Sequence, residues 1–316
     1  MSAVTAQISV VIPAYNAEST IREAVDSVLA QNHDGCEIWV IDDASQDATC
    51  EVLKATYGDR DDVHLVLRDV NAGPATARNI GIQSANGPWI AFLDGDDAWL
   101  PNRLSVQLAL AGVNPSVDLW CSKTLRMQSG GAMAPASADA DFRHVTQDEF
   151  LFHNPVATST VLARTDVLRA VGGFDEQFVG PEDYDFWMRV ASRNSIALID
   201  EALSLYRYVP GSLSMDDRTF LPQVLKVLEK ALAPDGALAN QASLRDVAMG
   251  NQYWNASWMA FNRGARGRAL RYWCKAYQLD HRSERVRSRP WFALLYRYCL
   301  GRPIQEGEME SMGEGR

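Results

Sequence analysis

The sequence predicts an α/β fold, with a mostly parallel central sheet flanked by helices and a helical C-terminal extension. Three observations predict this. Roughly the first hundred residues alternate short apolar runs with stretches of helical spacing, the pattern of βαβ units. The apolar runs are nearly uninterrupted, as they must be in parallel strands covered on both faces. From Pro222 onward only helical periodicity remains.

The elements follow in order. Residues 8–12 form a buried-type strand ended by Pro13, and Ile21, Ala24, Val25, Val28 and Leu29 then recur at helical spacing with Ser19 as a cap. Strands at 37–41, 63–67 and 89–93 alternate with helices at 47–57, 74–84 and 101–110. After an apolar run at 117–121 the rhythm changes, and residues 128–140, rich in Ser, Gly, Ala and Pro, read as a loop. Thr146 and Glu149 form a capping-box pattern that starts a short helix. A strand at 160–163, a turn at Gly172 and Gly173, a helix from about Glu182 and a strand at 196–199 complete the mixed region. The polar, Glu- and Gly-rich residues 303–316 read as a disordered tail.

Composition narrows the function classes. The chain has 316 residues, 47% of them hydrophobic, so it can bury a large core. Five cysteines, odd in number and without CxxC spacing, indicate neither a disulfide framework nor a zinc cluster. No apolar run reaches the roughly 18 residues of a membrane span, and no basic leader with a cleavage site opens the chain. A cytoplasmic location is expected. The net charge of −10 argues against nucleic-acid binding. The charge is uneven, however: residues 263–302 hold eleven Lys and Arg against Asp280 and Glu284.

In an open α/β sheet, ligands bind beyond the carboxyl ends of the strands. Here those ends carry Glu18 after the first strand, Asp42, Asp43 and Asp47 after the second, and Asp94, Asp96 and Asp97 after the fourth. So many carboxylates on one rim would repel one another unless a cation lay among them. Asp94, Asp96 and Asp97 make a hard oxygen-donor group suited to Mg²⁺ or Mn²⁺. A single Asp at a strand end caps the next helix just as readily. Arg78, near the start of a helix, would hold a phosphate or pair with the strand-end Asp residues.

Pro13, Tyr15 and Glu18, then Asp42 and Asp43, Gly73 to Asn79, Asp94 to Asp97, Gly172 to Glu176, and Glu182 and Asp183 in the run Pro181 to Arg189 resemble, in order and spacing, the motifs of family 2 glycosyltransferases. The resemblance spans about residues 7–215. It implies the GT-A fold and an inverting, metal-dependent transfer from a nucleotide-diphosphate sugar, with a UDP-sugar favoured. Under it, Pro13, Tyr15 and Glu18 would shape the nucleoside pocket, Asp43 would accept hydrogen bonds from the base, and Arg78 would lie near the diphosphate. Asp94 and Asp96 would hold the metal, Asp97 would position metal or sugar, Asp183 would be the general base and Glu182 its neighbour in the acceptor site. Where relatives carry a His, this chain has Val209, which leaves that contribution to Arg207 or another residue. His153, Ser159, Thr160 and Trp99 are open between site and structural roles.

The resulting domain expectation is a catalytic domain at 1–215, with a nucleotide-sugar half at about 7–110 and an acceptor half at 111–215, and a helical module at 216–302. The basic residues of 263–302, interleaved with Tyr272, Trp273, Trp291, Phe292, Tyr296 and Tyr298, suit either an anionic membrane surface or packing on the catalytic domain or on a second subunit. The expected partners are therefore a nucleotide-diphosphate sugar, a glycan or lipid-linked acceptor, the inner face of the membrane and a possible homodimer mate, without nucleic acid. Two other readings stay open: a silent sugar-nucleotide- or glycan-binding protein, and a nucleotidyltransferase. The latter usually has a Gly-rich, basic loop after strand one, and residues 13–18 contain neither Gly nor Lys nor Arg.

Overall fold

The computed structural model describes residues 8–31, 33–127, 140–208 and 216–282. They fall into two units that part near residue 209.

In the first unit, β1 (Ile8–Ala14), β2 (Cys36–Asp42), β3 (Val63–Leu67) and β4 (Trp89–Phe92) run parallel in the order β3-β2-β1-β4. The crossovers are α1 (Ile21–Leu29), α2 (Thr49–Tyr57) and α3 (Pro74–Ser84). β1 is buried along its whole length, which is why its sequence does not alternate. The order reverses between β1 and β4, and this reversal opens a crevice at their carboxyl ends.

Beyond β4 the sheet continues through β8 (Leu162–Arg164), β6 (Leu119–Arg126), β9 (Ile196–Tyr206) and β5 (Ala98–Trp99), with β7 (Phe142–His144) also paired to β9. β6 and β9 are parallel, whereas β8, β5 and β7 run antiparallel to their neighbours. Among the described residues the sheet is therefore mostly parallel, as expected. Helices α4 (Arg103–Val113), α5 (Thr165–Val171) and α6 (Glu182–Ala191) pack around it.

Several details depart from the sequence reading. β1 runs through Pro13 to Ala14, because pairing with β4 ends at Val11 and the missing N–H of Pro13 falls on that side. The cap position of α1 is Thr20 rather than Ser19, and the Thr20 hydroxyl donates to the Gly95 carbonyl at 2.8 Å. β9 extends to Tyr206 despite Asp200 and Glu201, since β9 bulges opposite Ser122/Lys123 and Lys123/Thr124 of β6, shifting the register past Asp200, Glu201 and Leu203 before the pairing resumes up to Tyr206. The box formed by Thr146 and Glu149 is present and opens a short 3₁₀ turn. The predicted loop at 128–139, Val209, residues 283–302 of the basic region and the tail at 303–316 lie outside the described residues.

Among the described residues the second unit holds α7 (Asp217–Ala231), a 3₁₀ turn at Ala239–Leu244, α8 (Arg245–Asn262) and α9 (Arg266–Leu279). α8 and α9 form a hairpin, turning at Gly264 with φ +75°, and pack through the small buried residues Ala256, Ala260, Ala269 and Ala276. Part of the basic cluster is neutralised within the unit. Arg268 donates to the buried carboxylate of Asp217 at 2.5 Å, and Arg263 lies 3.1 Å from Asp216. Among the described residues no helix is long and apolar enough to cross a membrane.

Candidate active site

The crevice is built by loops stitched to one another. The Asn16 amide donates to Ser45 Oγ at 2.9 Å, the Glu18 amide to Asp47 at 3.1 Å and the Ala17 amide to Thr49 Oγ1 at 2.8 Å. The Glu18 carboxylate accepts from the Ala48 amide at 2.9 Å, at the start of α2. Of the predicted nucleoside-pocket residues, Pro13 is buried, Glu18 is committed to this stitch and Tyr15 leaves half its surface open.

Asp43 is buried, and its carboxylate accepts from Arg68, from the Ala72 amide at 3.0 Å and from the Gly73 amide at 2.6 Å. Gly73 has φ +88°, a left-handed conformation that favours glycine and turns its N–H onto Asp43. Asp43 thus shapes the loop leading into α3, where Arg78 sits. Arg68 was not legible as its partner, because the two meet only through the pairing of β2 with β3.

Arg78 is buried and points each arm of its guanidinium at a different carboxylate. Nη2 donates to Asp94 Oδ1 at 2.6 Å and Nη1 to Glu182 Oε1 at 2.8 Å. Burial alone would lower its pKa, but the charges of Asp94 and Glu182 more than offset that and raise it. The ion-pair role left open by the sequence is therefore realised. Glu182 also accepts from the Gly180 amide at 2.9 Å, so its carboxylate faces inward.

The loop after β4 folds back tightly over β1. A Cβ on Gly95 would lie 3.0 Å from the Pro13 carbonyl oxygen. Burial, then the charge of Asp94, pushes Asp96 up to about 6 and Asp97 up to about 7. Asp97 accepts from Ser159 Oγ at 2.6 Å and from the Arg207 amide at 2.9 Å, while Arg207 Nε donates to the Asp96 carbonyl at 2.8 Å. Arg207 also pairs with Glu23 at 2.5 Å.

The carboxyl groups of Asp94 and Asp96 are hard oxygen donors, of the chemistry a divalent cation takes. Crowded carboxylates that resist ionisation together are relieved by a cation, and Arg78 engages only one oxygen of Asp94. Among the described residues no group of three or more His, Cys, Asp or Glu side chains is arranged to hold a metal. Mg²⁺ and ions like it are commonly held by one or two carboxylates, with water and substrate phosphate completing the shell.

Asp183 opens α6 beside Glu182. Its Oδ2 accepts from Asn154 Nδ2 at 3.0 Å and Thr158 Oγ1 at 3.4 Å, and its Oδ1 from the Tyr184 amide at 2.7 Å. Burial, then the neighbouring charge of Glu182, pushes it up to about 7. Asn154 and Thr158 carried no sequence signal for this role. Ser159 links Asp97 to the backbone N–H of Asp94, which donates to its Oγ at 3.1 Å. Trp99 is a core residue, His153 lies exposed past the 3₁₀ turn, and Thr160 Oγ1 bonds backbone at Ala157 and Ser122.

The profile described as glycosyl transferase family 2 matches residues 9–170. An uncharacterized glycosyltransferase of Rickettsia prowazekii is 31% identical over 62% of this chain and 62% of its own length. The chain thus spans under two thirds of that relative. The UDP-Glc:α-D-GlcNAc-diphosphoundecaprenol β-1,3-glucosyltransferase of Escherichia coli is 30% identical over 66% of this chain and 79% of its own length. Among solved structures, S. aureus TarS residues 1–349 in complex with UDP-GlcNAc superposes with a TM-score of 0.65 at 20% identity, covering 95% of this chain and 93% of that one. That likeness concerns the fold, which is the GT-A arrangement expected from the sequence.

Proposed function

The chain belongs to glycosyl transferase family 2, and from that premise we propose that it transfers a sugar from a UDP-sugar to a hydroxyl of a glycan or lipid-linked acceptor with inversion. The observation that carries the reading is the Arg78 bridge. It joins Asp94, at the end of β4, to Glu182, the neighbour of Asp183, although the two carboxylates lie far apart in the chain. On this reading the bridge brings the end that would neutralise charge close to the end that would accept the proton.

The acceptor hydroxyl attacks the anomeric carbon as the bond from that carbon to the diphosphate oxygen breaks. The hydroxyl proton passes to Asp183 Oδ2, and UDP leaves with the bonding pair. Asp183, held by Asn154 and Thr158, has the raised basicity a general base near neutral pH needs. Tyr15 offers its open face to the base, and Asp43 and Arg78 shape the nucleotide side. Asp94 and Asp96 would hold Mn²⁺ or Mg²⁺, which supplies Lewis-acid stabilisation of the departing diphosphate when bound. Asp97 steadies that loop through Ser159.

The acceptor class follows the lipid-linked substrate in the E. coli relative's name. A basic region at 263–302 suits the anionic inner face of a membrane, where such acceptors reside, and implies work on the cytoplasmic side. The division into a catalytic domain at 1–215 and a helical module at 216–302 belongs to the same proposal.

The test is release of UDP from UDP-glucose and UDP-GlcNAc, with Mn²⁺, Mg²⁺ or EDTA, for wild type and Asp183→Asn. Turnover that needs the cation and fails in the variant supports transfer. UDP binding without turnover in wild type favours the silent binding protein. Pyrophosphate release from UTP and a sugar phosphate would favour the nucleotidyltransferase.

A further inference from the structure

Arg103 on α4 is wholly buried, and among the described residues its Nε and Nη1 have no hydrogen-bond partner. An Arg is costly in such a place, since a Leu or Met could fill the volume without desolvating a charge. The guanidinium does two things an apolar side chain could not. It lies over the Trp99 ring, 3.8 Å from the centroid, and its Nη2 donates to the Val161 carbonyl at 2.9 Å.

Two further buried donors take the neighbouring carbonyls. Gln107, one helical turn on, donates Nε2 to the Thr160 carbonyl at 2.9 Å. Trp99 Nε1 donates to the Ser159 carbonyl at 3.2 Å, joined there by Ser204 Oγ at 3.0 Å. Three consecutive carbonyls are therefore each held by a side chain from the core. The same stretch carries the two hydroxyls of the site. Ser159 Oγ bonds Asp97 and the Asp94 amide, while Thr158 Oγ1 accepts from Trp187 Nε1 at 3.3 Å and reaches Asp183 at 3.4 Å. Adjacent residues thus address the two ends of the crevice.

We propose that Arg103 is a positioning residue: with Gln107 and Trp99 it clamps the carbonyls of residues 159–161 and so sets the separation between the Asp94–Asp97 loop and Asp183. The proposal rests on the glycosyl-transfer reading, because that separation matters only if both ends act on one substrate. A displacement of about 1 Å at a reacting centre can cost roughly a hundredfold in rate.

The experiment compares Arg103→Met, Gln107→Met and Arg103→Lys with Leu104→Ala, which removes core packing at the next residue without touching these carbonyls. Three quantities are measured: melting temperature, the indole N–H resonances of Trp99 and Trp187 assigned by Trp→Phe variants, and UDP release from UDP-glucose or UDP-GlcNAc with Mn²⁺. Arg103→Met is expected to stay folded and to shift both resonances. Its kcat should fall roughly 10- to 100-fold with donor KM within about threefold, and Arg103→Lys, which keeps a donor, should recover part of the rate. Should Arg103→Met not fold, Gln107→Met is expected to show the same split between kcat and KM. The proposal is overturned if these variants keep wild-type kcat and unmoved resonances, or if Leu104→Ala loses kcat equally. A wild type that releases no UDP from either donor overturns the transfer reading and the proposal with it, a result distinct from inactive variants of an active wild type.

Discussion

Arg78 Nη1 lies 2.8 Å from Glu182 Oε1, both side chains are buried, and the other arm of the same guanidinium holds Asp94 at 2.6 Å. One cation thus sits where the β4 loop and the start of α6 converge. Breaking a buried pair from one side strands the remaining charge, so Arg78→Met is expected to destabilise the fold by about 3–5 kcal/mol. Urea denaturation checks this. Glu182→Gln, which can still accept from Arg78, should cost less than Arg78→Met, and the reverse order would contradict the assignment of Arg78 as the shared partner.

Asp183 is pushed up to about 7 by burial and the charge of Glu182. If it takes the acceptor proton, kcat/KM, which reports the free enzyme, should rise with pH through an apparent midpoint near 7 and level off above it. Asp183→Asn should lower kcat by about 10²- to 10⁴-fold, the usual range for losing a general base. A flat profile between pH 5.5 and 8.5 in the wild type would remove Asp183 from the proton transfer.

The shift at Asp97, up to about 7, has a consequence for stability. A carboxyl whose pKa is higher folded than unfolded holds its proton more tightly in the native state. Its favourable contribution is complete below the unfolded value of about 3.9 and is lost as pH rises through the folded one. In metal-free protein, Asp97→Asn should therefore gain stability relative to wild type between pH 5 and pH 8. Melting curves across that interval test the sign, and a constant difference would show that Asp97 does not titrate there.

Asp43 ties Arg68 to the amides of Ala72 and Gly73. Asp43→Ala leaves those donors unsatisfied, at about 1–3 kcal/mol, and frees the loop that aims α3. UDP affinity, read by calorimetry, should fall together with stability. Gly73→Ala, strained at φ +88°, should weaken binding in the same direction.

Gly95 approaches the Pro13 carbonyl so closely that Gly95→Ala would force the β4 loop away from β1. A loss of about 1–3 kcal/mol is expected for such overpacking, with weaker cation-dependent UDP binding. Unchanged melting and binding would mean that the loop has slack there.

By itself the sequence determined the sheet's parallel half, since strands covered on both faces must read as apolar runs and each run is followed by a helix of visible period. It also determined which residues line the rim, because polar groups directly after such runs fall at the strands' carboxyl ends. It left β5, β7 and α5 hidden, as two- and three-residue strands and a helix entered directly from a strand are too short to show a period. Tertiary structure alone decided the partners: Arg68 with Asp43, Arg78 between Asp94 and Glu182, Ser159 between Asp94 and Asp97. It alone placed Arg103 in the core, where a charged residue at the start of a helix would ordinarily be expected at the surface. The physical reason is that burial patterns are local in sequence, whereas ion pairs and hydrogen bonds between distant segments exist only once the chain has closed on itself.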